Sequence, residues 1–388
     1  MKYFFILGSN PALSLAELTA VYGQAGFAIF ADQAAVLESG RTIDPSADIR
    51  RLGGTIKIGE VVAEASLSTA DLLAKIQKTD IKKEGKIKFG FSYYGAGKFN
   101  LKPLAMEYKK ILSAAGNSAR WVVSREPNLS SVVVEQNNLT KGGAEFVLIR
   151  AGNKILVGKT TAVQPFKDLS ARDYGRPARD DRSGMLPPKL AQIMINLARA
   201  PRNGLLLDPF CGSGTVITEA ALMGYENLIG SDISEKAIAD SKKNLEWTAA
   251  NFKFKISNLK LLIAEAAQIS KKFDSDSIDA VITEPYLGPQ RGKIDTRATV
   301  KQLERLYGES LLEFYKILKT GGRAVMVWPV FAAAQGRITL SQKIIGNFKL
   351  IPPLPQKFST LSGGQNRQTI IYGRPDQRVW REIVILEK

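Results

Sequence analysis

Short apolar runs separated by stretches with helical spacing predict an α/β domain in the second half of the chain. Five runs fit buried strands, at residues 205–207, 227–231, 261–263, 279–282 and 324–328. Apolar positions recur with helical spacing at residues 190–198, 215–223 and 300–318. Because strands alternate with helices, we expect an open, mostly parallel sheet with helices on its faces.

The first half of the chain has a different order of elements. Residues 2–7 and 27–31 fit strands, and the pattern Ser14-x-x-Glu17 predicts a helix that begins there and ends near residue 22. A second helix is predicted at residues 102–115. Further strand-like runs lie at residues 121–123, 131–135, 145–150 and 155–157. This order is typical of an α+β region.

Composition removes several kinds of chemistry. The chain has no histidine and one cysteine, Cys211. It therefore lacks a histidine base, histidine metal ligands and cysteine clusters, and we expect no metal cofactor. Carboxylates must carry the chemistry. A single cysteine is compatible with a reducing cytoplasm, where we expect the protein to be located.

Basic residues outnumber acidic residues by 54 to 37, which gives a net charge of +17. The excess favours a nucleic acid as the partner. General solubility and an anionic membrane are the alternatives, but no apolar run in the sequence reaches the length of a transmembrane helix. We therefore expect no membrane association.

The densest positive stretch is residues 81–120, with nine basic and two acidic side chains. Within residues 86–93 lysines alternate with apolar residues, mostly aromatic, so we expect the apolar side chains in the core and the lysines on the opposite face. A merely solvated face is the alternative for the lysines. The candidates for RNA contact are Lys86, Lys88, Lys98, Lys102, Lys109 and Lys110.

Residues 208–215 form a glycine-rich turn between a predicted strand and a predicted helix. They are Asp208, Pro209, Phe210, Cys211, Gly212, Ser213, Gly214 and Thr215. Such a turn brings backbone N–H groups and the positive end of a helix close to an anionic ligand. A dinucleotide site needs a glycine where Ile217 stands, and a phosphate-binding loop needs a lysine after the second glycine. S-adenosylmethionine (SAM) remains as the predicted ligand, with a structural turn as the alternative.

Acidic residues end the next three predicted strands. Asp232 lies 24 residues after Asp208, close to the spacing at which an acid binds ribose hydroxyls. Glu284 ends the fourth strand. The carboxyl ends of parallel strands share one sheet edge, so these acids are expected to line one ligand site; a helix N-cap or a solvated position is the alternative for each. The predicted cofactor residues here are Asp232, Ile233, Glu265 and Ala266.

From about residue 181 the chain resembles a class I SAM-dependent methyltransferase. Residues 279–288, Asp-Ala-Val-Ile-Thr-Glu-Pro-Tyr-Leu-Gly, are similar to the acid-Pro-Pro-aromatic loop of enzymes that methylate exocyclic amines. The resemblance implies a Rossmann-like domain with a mostly parallel seven-stranded sheet. Glu284 takes the place of the family's Asp or Asn, Pro285 keeps the first proline, and Tyr286 replaces the second. Because Leu287 stands where the aromatic is usual, either the aromatic has moved back one position or the loop is altered.

The resemblance implies catalytic roles for Glu284, Pro285 and Tyr286. An exocyclic amine is a poor nucleophile because its lone pair is delocalised into the ring. The carboxylate of Glu284 and the carbonyl of Pro285 would accept its hydrogens, and Glu284 would receive the proton afterward. Tyr286 would stack on the base. Carbon-5 methylation of a pyrimidine is disfavoured, because it needs a cysteine nucleophile and Cys211 lies in the cofactor turn.

The N-terminal half resembles the ferredoxin-like and THUMP domains of certain RNA-modifying enzymes. Residues 7–18, Leu-Gly-Ser-Asn-Pro-Ala-Leu-Ser-Leu-Ala-Glu-Leu, resemble the start of the tRNA guanine-N2 methyltransferases that act at tRNA position 10. We therefore divide the chain into four predicted regions: a ferredoxin-like region at 1–60, a THUMP-like RNA-binding domain at 61–165, a Pro- and Arg-rich linker at 166–188 and the methyltransferase domain at 189–388.

The predicted function is SAM-dependent methylation of guanine N2 in tRNA. One alternative is a DNA adenine-N6 or cytosine-N4 methyltransferase, since those enzymes share the acid-Pro-aromatic logic. Another is a catalytically impaired RNA-binding protein whose altered loop no longer catalyses. Four arginines near the C-terminal strands suit the substrate edge of the sheet: Arg367, Arg374, Arg378 and Arg381.

Overall fold

The computed structural model describes residues 1–30, 33–79, 85–179, 185–254, 258–289, 295–333, 336–362, 367–373 and 377–388. The chain divides into two compact units. The first comprises Met1–Leu15 and Gln24–Lys167, and the second comprises Ala16–Gly23 and Asp168–Lys388. In the described part of the chain, no helix is both long enough and apolar enough to cross a membrane.

The first unit is built on one eight-stranded sheet. Its strands are β1 (Lys2–Leu7), β2 (Phe27–Phe30), β3 (Ala34–Glu38), β4 (Thr55–Ser66), β5 (Ile87–Tyr94), β6 (Ala119–Val122), β7 (Ala144–Ala151) and β8 (Lys154–Val163). The helices of this half are α1 (Pro11–Tyr22), α2 (Pro45–Arg51), α3 (Thr69–Gln77), α4 (Leu101–Ala114) and α5 (Ser131–Gln136). The strand order is β2-β3-β1-β4-β8-β7-β5-β6, with β5 parallel to β6 and β7. The predicted α+β character is confirmed.

Helix α1 begins at Pro11, so the predicted start at Ser14 is wrong. The Asn10 side chain accepts a hydrogen bond from the Leu13 backbone N–H at 3.0 Å and caps the helix. Pro11 suits the first helical position because its missing N–H would have no partner there. Ser14 lies inside the helix, where its hydroxyl donates to the Asn10 carbonyl at 3.0 Å.

Residues 131–135 were expected to form a strand, and they form helix α5 instead. The Ser130 side chain accepts from the Val133 backbone N–H at 3.3 Å and caps the helix. Val134 is fully buried against Val122, Leu129 and Leu139. The cap and this packing outweigh the strand preference of three consecutive valines.

A buried ion pair joins four neighbouring strands of the first sheet. Lys57 of β4 and Glu145 of β7 are both fully buried, and the Lys57 ammonium donates to the Glu145 carboxylate. Glu145 also accepts from the hydroxyls of Ser92 on β5 (2.6 Å) and Thr160 on β8 (2.7 Å). Removal of one member would leave a buried charge without its partner, so this network helps to specify the strand order.

The face of β5 that was expected to be apolar lies in the core. Ile87, Phe89 and Phe91 are buried, and the Tyr108 ring of α4 meets Phe89 edge-on with 4.9 Å between ring centroids. Tyr93 is half-buried and stacks on Phe99. These aromatics therefore pack within the protein, which leaves the lysines of this stretch as the candidates for contacts with RNA.

The second unit is built on a nine-stranded sheet. The strands are β9 (Leu205–Asp208), β10 (Asn227–Asp232), β11 (Asn258–Ile263), β12 (Ile278–Thr283), β13 (Leu318–Ala333), β14 (Gly336–Thr339), β15 (Lys349–Leu350), β16 (Ile370–Tyr372) and β17 (Val379–Glu387). The helices are α6 (Phe166–Tyr174), α7 (Pro188–Ala198), α8 (Thr215–Leu222), α9 (Glu235–Phe252) and α10 (Thr296–Ile317), with 3₁₀ turns at Ala266–Lys272, Gln342–Ile345 and Gln356–Ser362.

The main path of this sheet has seven strands, in the order β11-β10-β9-β12-β13-β17-β15. The first five are parallel, and β17 runs antiparallel to β13. Strands β14 and β16 join at β13 and β17. The predicted Rossmann-like, mostly parallel sheet is confirmed. The connection from β9 leads to β10 on one side, and the connection from β12 leads to β13 on the other, so a crevice opens at the carboxyl ends of β9 and β12.

The predicted domain boundaries are not decided by this division into units. Residue 60 lies inside β4, which pairs with both β1 and β8. The stretch predicted as a linker contains α6, and its residues 180–184 lie outside the described part of the chain. The ferredoxin-like and THUMP-like assignments therefore stay predictions.

Candidate active site

A cleft of about 540 Å³ lies at the carboxyl edge of the parallel strands in the second unit. Its walls include every predicted cofactor residue except Gly214, together with Glu284, Pro285 and Tyr286. Residues from the ends of four strands thus meet at one place, where open α/β sheets bind ligands. Met185, Leu186 and Leu306 also line the cleft.

The glycine turn is held by side chains from the end of β10 and from α9. The Gly212 N–H donates to Asp232 Oδ2 at 3.0 Å, and the Ser241 hydroxyl donates to the Gly212 carbonyl at 2.6 Å. Gly214 directly precedes α8 with φ +83°, and a Cβ there would lie 3.0 Å from Ser241 Oγ. Glycine is therefore needed at this position for both conformation and space.

Asp232 is not the N-cap of α9, which is Ser234, and its carboxylate lies between the glycine turn and the start of that helix. Its Oδ2 accepts from the turn, and its Oδ1 accepts from the Ser234 N–H at 2.9 Å just before α9. Each carboxylate oxygen has a further lone pair, so these bonds leave acceptors for a ligand hydroxyl. Ile233, next to it, is 71% exposed and offers an apolar surface to the cleft.

Asp208 lies at the base of the cleft and is buried. Its Oδ1 accepts from the Thr283 hydroxyl at 2.6 Å and from the Phe210 N–H at 3.2 Å, so it ties the ends of β9 and β12 together. Burial raises the pKa of Asp208 to about 7, and the neighbouring charges of Asp232 and Glu284 add to this rise. Near neutral pH this carboxyl is therefore in part protonated.

Glu265 and Ala266 lie at another part of the cleft wall. The Glu265 side chain is exposed and its Oε2 accepts from the Gln268 side chain at 2.6 Å. Ala266 is buried and begins a 3₁₀ turn. Since Glu265 is solvated, it is a weaker contributor to a binding site than Asp232.

The loop after β12 exposes one aromatic side chain. Tyr286 is 50% exposed, whereas Leu287 is 7% exposed. The fully buried Tyr307 of α10 donates its hydroxyl to the Tyr286 carbonyl at 3.0 Å. Gly288 has φ +93°, which favours glycine and ends the loop. The geometry therefore places Tyr286, rather than residue 287, where a planar ligand can stack.

Arg381 of β17 is a site residue whose partner was not predicted. Its Nε–H donates to Glu284 Oε2 at 2.6 Å, and its Nη2 donates to Glu284 Oε1 at 3.0 Å. It was grouped with three other arginines near the substrate edge, of which Arg374 lies outside the described residues. No local pattern identifies the pair, because 97 residues separate its members. The signal is topological: the strand that joins β13 places its side chains beside the end of β12.

Arg176 was predicted only as part of a linker, but it is buried beside the glycine turn. Its Nη1 donates to the Thr215 hydroxyl at 2.7 Å, and its Nη2 approaches Met185 Sδ at 3.5 Å. The buried Arg176 Nε has no protein partner among the described residues. Burial lowers the pKa of this guanidinium. A buried cation next to cleft residues Met185 and Thr215 favours an anionic group nearby.

The six predicted RNA-contact lysines belong to the first unit. Lys88 is half-buried, and the other five are exposed. Lys110 forms an ion pair with Glu107 at 2.7 Å on α4. Their role in RNA binding stays a prediction.

Two models of known protein families match parts of this chain. A family model described as the RMKL-like methyltransferase domain matches residues 176–341, and a DNA methylase model matches residues 97–243. The second match ends before Glu284, so it does not include the Glu284-Pro285-Tyr286 loop.

Curated relatives give a narrower assignment. The tRNA (guanine(10)-N2)-dimethyltransferase of Pyrococcus abyssi is 28% identical over 60% of this chain and 66% of that protein. The enzyme of the same name from Methanocaldococcus jannaschii is 28% identical over 55% of each chain. The chain is similar to these tRNA guanine-N2 methyltransferases. It spans less than two thirds of the length of these relatives.

The crystal structure of TrmN from Thermus thermophilus matches over the whole of both chains, with a TM-score of 0.55 and 18% identity. At that identity the similarity concerns the fold alone. The fold is thus shared with TrmN over the whole of both chains.

Proposed function

We propose that this protein uses SAM to methylate an exocyclic amine of RNA, namely guanine N2 in tRNA. The observation that carries the proposal is the meeting of the Glu284-Pro285-Tyr286 loop and the glycine turn in one cleft. A cleft that only bound the cofactor would need the glycine turn but not the Glu284-Pro285-Tyr286 loop. Their meeting supports a methyl donor and an amine acceptor held side by side.

The residues of the cleft fit SAM. Asp232 has free lone pairs for the ribose hydroxyls, and the exposed Ile233 provides an apolar surface for the adenine. The N–H groups before α8 and the buried Arg176 guanidinium suit the carboxylate of the methionine end. When bound, SAM supplies an electrophilic methyl group on a sulfonium.

The loop residues act on the substrate. Glu284 and the Pro285 carbonyl accept hydrogen bonds from the amine, which favours pyramidal nitrogen and hence the lone pair needed for attack. The half-exposed Tyr286 stacks on the base and aligns it. Because Leu287 is buried, the irregular loop still presents an aromatic, one position earlier than usual. This supports an active enzyme over a binding protein that has lost catalysis.

We infer tRNA as the macromolecular substrate. The names of the relatives and the net charge of +17 support an RNA partner. The ferredoxin-like region at 1–60 and the THUMP-like domain at 61–165 would bind tRNA through the exposed lysines, and residues 189–388 would carry the methyl transfer. A cytoplasmic location belongs to the same proposal, supported by the single cysteine.

Nucleoside mass spectrometry tests the function. Unmodified tRNA transcripts incubated with methyl-labelled SAM should yield labelled N2-methylguanosine, and a Glu284→Ala variant should yield none. Label in adenine N6 or cytosine N4 of duplex DNA, with none in RNA, would favour the DNA methyltransferase alternative. SAM binding without label in either nucleic acid would favour an RNA-binding protein.

A further inference from the structure

Glu284 is not an isolated carboxylate, because Arg381 holds both of its oxygens. The two donor–acceptor distances are 2.6 and 3.0 Å, one to each oxygen. Both side chains are 12% exposed, so little water competes for the pair. A forked arginine–carboxylate pair fixes the plane of the carboxylate and is stronger than neutral hydrogen bonds.

The surroundings of the pair contain other titratable groups. Burial raises the pKa of Tyr307 well above its ordinary value, and the charge of Glu284 adds to this rise. The pKa of Asp208 is raised mainly by burial, and the charge of Glu284 contributes there as well. Tyr307 is therefore neutral in the working pH range. Among the described residues, Arg381 is the cation that forms an ion pair with Glu284. The pair as a whole is neutral.

We propose that Arg381 is a positioning residue that makes Glu284 a fixed hydrogen-bond acceptor rather than the base of the reaction. The proposal rests on the proposed function. A carboxylate has about four lone-pair positions, and the fork uses one on each oxygen. The remaining lone pairs then have a fixed direction. The substrate amine is therefore oriented by a carboxylate that does not have to change its conformation.

The fork also decides where the proton goes. Protonation of Glu284 would take one of the lone pairs that face the substrate, and it would leave the buried guanidinium of Arg381 without a counter-ion. The methylated nitrogen therefore releases its proton to water, while Glu284 stays ionised through the reaction. Glu284 contributes direction and a hydrogen bond, and the neutral pair adds little net negative charge.

A double-mutant cycle tests whether the two residues act as one unit. R381M and E284Q should each lower kcat on unmodified tRNA transcripts by roughly tenfold or more, with KM for SAM within about twofold of wild type. The combined variant E284Q/R381M should lose far less than the product of the two single losses, because its amide oxygen can accept without a cation. R381K should recover part of the loss.

The pH profile separates positioning from a general effect on folding. Without its cation, a buried carboxylate has a raised pKa. The kcat of R381M should therefore fall toward acidic pH, whereas that of wild type and R381K should not fall in the same range. A flat profile in R381M would contradict the proposal.

A similar arginine–carboxylate pair elsewhere in the same sheet provides the control. Arg323 of β13 donates to Glu387 of β17 through Nε at 2.9 Å and Nη2 at 2.8 Å, away from the cleft. R323M should lower thermal stability about as much as R381M does, yet leave kcat within about twofold of wild type.

The outcomes distinguish two failures. Wild-type protein that methylates no tRNA would overturn the proposed function and the role of Arg381 with it. Active wild type with equal kcat in R381M and R323M would overturn the role of Arg381 alone. Strictly multiplicative losses in the double variant would show independent residues, which also overturns the proposal.

Discussion

The two walls of the cleft are built in different ways. The turn wall, residues 208–215 with Asp232, takes its shape from backbone conformation: the Gly212 N–H donates to Asp232, and Gly214 has φ +83°. The loop wall, residues 284–288, is held by the side chains of Tyr307 and Arg381, which lie 21 and 97 residues from their partners. A wall that depends on backbone conformation has to keep its glycines. A wall held by side chains of other elements can depart from the usual loop pattern and still present its groups.

The largest effect should come from the loop wall. Glu284→Ala removes the acceptor for the amine and should lower kcat by about a hundredfold or more, with the Kd for SAM near that of wild type. Single-turnover methylation and SAM titration measure the two quantities. Glu309→Ala, at an exposed position of α10, is the control. A kcat that stays near wild type in E284A would remove Glu284 from the reaction.

A substitution in the turn wall should weaken SAM binding and leave kcat nearly unchanged. Asp232→Ala removes the acceptor for the ribose and for the Gly212 N–H, and should raise the Kd for SAM by roughly tenfold to a hundredfold. At saturating SAM the kcat should change little. Glu265→Ala should have a smaller effect, because Glu265 is solvated. Equal Kd values in D232A and wild type, by calorimetry, would contradict the assignment of this wall.

Asp208 joins the two walls and should make stability depend on pH. Its pKa is about 7 in the folded protein and near 3.8 when unfolded, so between these values the folded state binds more protons. Stability therefore falls as pH rises from about 4 to 7. Asp208→Asn removes this loss and should gain roughly 2 kcal/mol on wild type between pH 5 and pH 8.

Thermal unfolding across that pH range measures the gain. Asp276→Asn, at a surface position, is the control. A constant difference in Tm between D208N and wild type at all pH values would show that Asp208 has no raised pKa.

The smallest effect should follow loss of the hydrogen bond between the Tyr307 hydroxyl and the Tyr286 carbonyl. Tyr307→Phe leaves the Tyr286 carbonyl without its donor and should lower kcat by about threefold to fivefold. Tyr315→Phe on the same helix is the control. If Y307F also raises the Kd for SAM, the two walls are coupled and the comparison between them needs revision.

The difference between the walls also explains what the sequence could predict. Gly212, Gly214 and Asp232 were predictable because turn geometry and acid spacing are local properties. The mostly parallel sheet followed from the alternation of strands and helices. Arg381 and Arg176 were not assigned because their partners, Glu284 and Thr215, lie far away in sequence. Helix α5 was missed because the cap at Ser130 and the burial of Val134 outweigh the local preference of its valines.

Strand β17 is made after every strand it pairs with, yet it occupies an interior position between β13 and β15. During translation the space between β13 and β15 stays unfilled until residues 379–387 have been synthesised. An interior strand of the sheet is therefore added after the strands on both sides of it. Because the same strand carries Arg381, the sheet and the Glu284–Arg381 pair are completed together. A nascent chain that lacks residues 379–387 would have neither.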